Sequence, residues 1–148
     1  MSSEQQTVTI LLVEDDPGHA RLIEKNLRRA NIMNELITVT DGQQAIDYLV
    51  GAGRYAQIKR PARLLVLLDL NLPVLDGYRV LQWMKENENT RRIPVVILTT
   101  TDDAREVSRC YQLGCNVYMT KPVDYDQFSE AVRKLGLFLA VVAVPDGD

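Results

Sequence analysis

Cysteine is scarce in this 148-residue chain, with only Cys110 and Cys115. Two thiols make neither a disulfide framework nor a zinc-ligand set, so both are expected to be buried small hydrophobes. An excess of positive charge is also missing. The formal net charge is −3, from 17 basic and 20 acidic side chains, and the pI is about 5.2. That balance argues against nucleic-acid binding through a broad basic surface. No apolar run reaches the roughly 18 residues of a membrane span. The opening Met1-Ser2-Ser3-Glu4-Gln5-Gln6 has no basic segment followed by an apolar one. No signal peptide is expected, and the cytoplasm is the expected location. Repeats, low-complexity tracts and a GxxxxGK[ST] nucleotide loop are absent as well. What is present is ordinary for a soluble globular domain: 46% hydrophobic and 25% charged residues. The expected organisation is a disordered N-terminus over residues 1–7 and a single domain over residues 8–148.

One stretch organises the rest. Leu64-Leu65-Val66-Leu67-Leu68 is apolar throughout and runs straight into Asp69, between Pro61 and Pro73. It reads as a strand buried on both faces. Val8 to Val13 is a second such run, ending in Glu14-Asp15-Asp16. Asp16 is suited to cap a helix that starts at Pro17 and carries Ala20, Ile23, Leu27 and Ala30 at helical spacing. Glu35 to Thr40 is a half-polar strand suited to a sheet edge. Asp41 with Gln44 makes a capping-box pattern for a helix whose apolar face is Ala45, Ile46, Leu49 and Val50. Gly51 to Arg63 reads as a loop. After Asp69, Pro73 and Asp76-Gly77 turn the chain, and Val80, Leu81 and Met84 face the core from a third helix. Pro94 opens the strand Val95-Val96-Ile97-Leu98, which ends in Thr99-Thr100-Thr101. Thr101 or Asp102 is expected to cap a helix with Ala104, Val107 and Tyr111 inward, stopped by Gly114. Asn116 to Thr120 is a fifth, mixed strand, followed by Lys121-Pro122 and a last helix capped by Asp124.

Five strands alternating with five helices predict an α/β fold, a parallel sheet with helices on both faces. The first, third and fourth strands are the most apolar and belong in the centre. The order 2-1-3-4-5, that of flavodoxin-like folds, satisfies this. Parallel strand ends lie side by side at one edge. Glu14, Asp15, Asp69, Thr99 and Lys121 therefore gather in one pocket at the carboxyl edge, where open α/β sheets place ligands. Three adjacent carboxylates repel one another unless one is protonated or a cation binds. Hard oxygens with few protein ligands suit Mg2+, held by Glu14, Asp15, Asp69 and the backbone carbonyl of Asn71. With its charge cancelled by the metal and Lys121, Asp69 is placed to act as a nucleophile toward a phosphoryl group, with Thr99 near its oxygens.

The set Glu14-Asp15, Asp69, Thr99 and Lys121-Pro122, each at a strand end and in this order, resembles the receiver domain of two-component response regulators. The likeness covers residues 8 to 140. It implies a flavodoxin-like receiver fold and a signalling protein rather than an enzyme with a turnover substrate. It implies that Asp69 is the phosphoacceptor for a sensor kinase's phosphohistidine. Glu14 and Asp15 become the metal-binding acids, Thr99 the switch hydroxyl, Tyr118 its aromatic partner and Lys121 the phosphate-binding lysine. A cis Lys121–Pro122 bond is expected on the same basis. Thr100 stands where receivers more often carry a smaller residue, and Asn71 and Thr101 match positions that tune dephosphorylation. The long loop, the wording LLDLNLP and RRIPVVILTTT, and the apolar tail resemble stand-alone receivers that partner phytochrome-type histidine kinases.

Other residues have blander readings. Asp16 is expected to be a cap rather than a metal ligand, and His19, the sole histidine, a solvated side chain. The same is expected of Lys59-Arg60 and Arg91-Arg92. The segment from Leu137 to Val144 is apolar all round, which marks an interface when no polar face remains. A homodimer through the last helix, using Leu137, Phe138, Val141 and Val142, is the resulting expectation. Two rival functions differ in class. A phosphohydrolase with an aspartate nucleophile needs a second acid two residues on, where this chain has Asn71. A receiver-like binding module that is never phosphorylated has no use for the acidic set.

Overall fold

The computed structural model describes residues 8–29, 32–100 and 103–121, with Asp126 and Glu130. Five parallel strands form one sheet in the order β2-β1-β3-β4-β5, as the apolar pattern predicts. They are β1 (Thr9–Val13), β2 (Leu36–Val39), β3 (Leu64–Asp69), β4 (Val95–Thr99) and β5 (Val117–Thr120). Four helices lie between them: α1 (Pro17–Arg29), α2 (Gly42–Val50), α3 (Gly77–Glu86) and α4 (Ala104–Leu113). Asp126 and Glu130 are helical. The proposed Asp124 cap, Pro122 and the apolar tail with Leu137, Phe138, Val141 and Val142 lie outside the described residues, as do residues 1–7.

Strand alternation divides the core in two. Leu11, Val13, Val66, Leu68, Val95 and Ile97 meet α2, α3 and α4 through Ala45, Leu49, Val80, Leu81, Met84 and Cys110. Ile10, Leu12, Leu65, Leu67, Val96 and Leu98 point the other way and meet α1 through Ile23 and Leu27. The three central strands are buried along their whole length, whereas β2 and β5 are mixed. Burying each large aliphatic side chain is worth about 1.5–3 kcal/mol, and this doubly covered centre is what holds the carboxyl edge of β3 in place.

Several local expectations change. Asp76 does not merely turn the chain; its carboxylate caps α3 by accepting from the Arg79 amide at 3.0 Å, and Gly77 is the first helical residue. Asp103, not Thr101 or Asp102, caps α4 through the Arg105 amide at 2.8 Å; Thr101 and Asp102 lie outside the described residues. The buried residue of α4 is Cys110, while Ala104 and Tyr111 are exposed. Steps of three and four residues from Ala104 through Val107 lead to Tyr111, but the buried stripe is rotated by one residue to Cys110. On α2, Val50 is exposed and Tyr48 takes the inward place, its ring edge-on to Tyr55 at 5.3 Å. Tyr55 belongs to a 3-10 turn, Gly53–Tyr55, inside the expected loop. Arg60 is not freely solvated: it is half-buried and donates to the Asn89 carbonyl at 3.2 Å. Gln44 accepts from the Thr40 amide rather than from Asp41's own, a shifted capping box. Both cysteines are free and buried as expected.

Candidate phosphoryl-acceptor site

The register of the sheet assembles the site. Val13 pairs with Leu68, so Glu14 and Asp69 follow side by side. Asp69 pairs with Leu98, one residue before Thr99. Thr99 pairs with Thr120, one residue before Lys121. Four strands thus deliver their last polar residues to one place, and side-chain geometry closes the cluster. The Lys121 ammonium donates to Glu14 Oε1 in a short contact and to Asp69 Oδ2 at 3.4 Å. Oxygens of Glu14, Asp15 and Asp69 lie within 4.8 Å of one another. Glu14 and Asp69 are buried, at 2% and 5% exposure, whereas Asp15 is exposed. A cleft of about 310 Å³ beside α1 and the end of β2 opens onto Glu14 and Asp15.

The loop after β3 is built to present Asp69. Its Oδ1 accepts the Asn71 amide at 3.1 Å. The Gly77 amide donates to the Leu70 carbonyl at 2.9 Å, bringing the start of α3 against the strand end. A Cβ on Gly77 would come within 2.4 Å of the Asp69 carbonyl oxygen, so only glycine permits this approach. Between them Val74 adopts the left-handed conformation, φ 69°, which costs a β-branched residue about 1–2 kcal/mol.

Burial raises the Asp69 carboxyl to a pKa of about 6. The Asn71 amide and Lys121 oppose that rise, and Glu14 adds to it. Thr99 is fully buried, and its hydroxyl is without a hydrogen-bond partner among the described residues. An orphaned buried hydroxyl costs about 1–3 kcal/mol, beside a carboxylate held above its ordinary range. Three clustered carboxylates of this kind fit a hard divalent cation with an oxygen shell, and an unspent hydroxyl fits an incoming oxyanion.

The response regulator receiver domain family matches residues 10–133. The chain belongs to that family. It is 40% identical over 137 residues to response regulator Rcp1 of Synechocystis, covering 92% of each. A solved Mn2+-bound form of Rcp1 superposes with TM-score 0.75 at 39% identity, over 93% of this receiver and 99% of that chain. A receiver domain from Rhodospirillum rubrum is 55% identical, with TM-score 0.71 over 95% of this chain and 99% of that one. The phosphorylated cyanobacterial phytochrome response regulator RcpA is 38% identical, with TM-score 0.75 over 90% of this chain and 94% of that one.

The structure brings Glu14, Asp15, Asp69 and Lys121 together. Tyr118 is half-buried on β5, packed toward the α4 side of the core, with its amide donating to Tyr111 Oη at 3.2 Å. Thr100 is exposed just past β4. Asp16 is a cap, as expected: its Oδ1 accepts the Gly18 amide at 2.8 Å and the His19 amide at 3.1 Å. The His19 bond is the main reason its carboxyl sits below the ordinary range. His19 is the residue that sequence reasoning missed. Its Nδ1 lies 3.2 Å from Lys121 Nζ and 3.9 Å from Glu14 Oε2. The available signal was positional: α1 begins directly after the acid pair, so its first-turn side chains lean back over the same edge.

Proposed function

We propose that this receiver takes a phosphoryl group from the phosphohistidine of a sensor histidine kinase onto Asp69, and that the change is read by a protein partner. The observation that carries this reading is Lys121 reaching both Glu14 and Asp69, with Thr99, whose buried hydroxyl has no partner among the described residues, ending the adjacent strand. A carboxylate oxygen of Asp69 attacks phosphorus and the P–N bond to the donor imidazole breaks. The bonding pair returns to that nitrogen, which then takes up a proton. A divalent cation, Mg2+ in this reading, would be held by Glu14, Asp15, Asp69 and the Asn71 carbonyl and would supply positive charge to the transferring oxygens. Lys121 balances the remaining carboxylate charge and donates to a phosphoryl oxygen, and Thr99 donates its free hydroxyl to another. Thr99 and Tyr118 together couple that change to the face made by α4, β5 and the last helix. Thr100, Thr101 and Asn71 are the residues proposed to tune loss of the phosphoryl group.

The likeness to the phytochrome response regulator RcpA supports a phytochrome-type kinase as donor, and the cytoplasm is the proposed place of action. Asn71 stands where a phosphohydrolase would need its acid, so release of phosphate from exogenous esters is no part of this reading. Homodimerisation through the apolar segment with Leu137, Phe138, Val141 and Val142 completes it. A chain ending at Gly136 should sediment as a monomer; if it keeps the full chain's association state, that interface is wrong.

The test of phosphoacceptance is intact mass after incubation with Mg2+ and acetyl phosphate. The wild type should gain one phosphoryl group, and neither prior chelation nor Asp69→Asn should allow it. Unchanged mass in folded wild type, with beryllofluoride also failing to bind, would leave a module that works by binding alone.

A further inference from the structure

His19 follows its cap Asp16 by three residues, in the first turn of α1. Its ring is 46% exposed on the side chain, yet it reaches the buried cluster through one atom, Nδ1. That atom lies 3.2 Å from the Lys121 ammonium. An ammonium has three N–H donors and no acceptor. Around Lys121 Nζ stand three acceptors: Glu14 Oε1 in the short contact, Asp69 Oδ2 at 3.4 Å and His19 Nδ1 at 3.2 Å. Donors and acceptors match one to one. An ammonium can only donate, so Nδ1 meets Lys121 by presenting its lone pair, the arrangement in which the ring N–H is on Nε2.

The choice of residue fits the electrostatics. Another carboxylate here would add a further negative charge to those of Glu14, Asp15, Asp16 and Asp69, and a lysine or arginine would repel Lys121. A neutral nitrogen acceptor does neither. We propose that His19 is a positioning residue: with Glu14 it holds two N–H groups of Lys121 and so aims the third at Asp69 Oδ2, the oxygen not taken by the Asn71 amide. This rests on the phosphoacceptor reading above. Once a phosphoryl group is attached there, the same N–H meets a phosphoryl oxygen without Lys121 having to search for it.

Two measurements test the proposal. The first is the rate of phosphorylation by acetyl phosphate at saturating Mg2+. His19→Ala should slow it about tenfold, the worth of one hydrogen bond to a charged group, with Mg2+ affinity unchanged. His19→Asn, whose Oδ1 can occupy the place of Nδ1, should recover most of the rate, and His19→Gln should not. Wild-type rate in His19→Ala, or no recovery in His19→Asn, overturns the proposal. The second is 15N NMR of the His19 ring in metal-free protein. Lys121→Met should move the Nδ1 resonance, and an unmoved resonance overturns the contact. If the wild type accepts no phosphoryl group at all, the phosphoacceptor reading fails, and the NMR result separately decides whether His19 holds Lys121.

Discussion

At the scale of the residue, the site is a buried acid held partly protonated near neutrality by its surroundings. The Asp69 pKa of about 6 lies above that of an unfolded aspartate, near 3.9. Folding therefore favours the protonated form. The stabilisation from Asp69 is complete below about pH 4 and is lost as pH rises through about 6. In chelator, urea titrations of wild type and Asp69→Asn should diverge across this window. The amide variant should be the more stable by about 1–2 kcal/mol at pH 8, a figure discounted for solvent screening. Parallel curves for the two proteins would contradict the assignment. Asp69, Glu14 and Lys121 were legible in the sequence because each ends a recognisable strand. His19 was not, because a lone polar residue on a helix says nothing about which way its ring turns. Only the contact between two side chains 102 positions apart reveals its partner.

At the scale of the element, strands were read more surely than helix starts. An unbroken apolar run buried on both faces has few alternatives, so β1, β3 and β4 lay where the pattern put them. Acidic residues near a helix start compete for the cap, and the winner depends on local backbone geometry. That is why Asp103 rather than Asp102 caps α4, and why Asp76 is a cap rather than only a turn residue. The start of α3 matters most for function, since it packs on the backbone of Asp69. Gly77→Ala would place a methyl group 2.4 Å from the Asp69 carbonyl and 2.6 Å from Leu70 Cα. Backbone on both sides leaves little room to yield. Loss of about 2–3 kcal/mol in chemical denaturation is expected, with slower phosphoryl gain because Asp69 must shift. Wild-type stability in Gly77→Ala would show that the loop gives way freely.

At the scale of the whole molecule, strand order was legible because burial sorts central strands from edge strands, and parallel alignment then makes a single edge out of residues 107 positions apart. Register adds what composition lacks, the placing of Lys121 against Glu14 and Asp69. The contact of the Tyr118 amide with Tyr111 Oη was not legible, because it depends on how α4 and β5 pack at the sheet's margin. On the proposed reading this edge carries a phosphoryl group on one carboxylate among several. Borohydride reduction of the phosphorylated protein tests it most directly, since it converts an aspartyl phosphate to homoserine at the modified residue. Peptide mass mapping should find homoserine at position 69 alone, and only when Mg2+ was present during phosphorylation. Homoserine at Asp15 or at another carboxylate, with position 69 unchanged, would contradict the account.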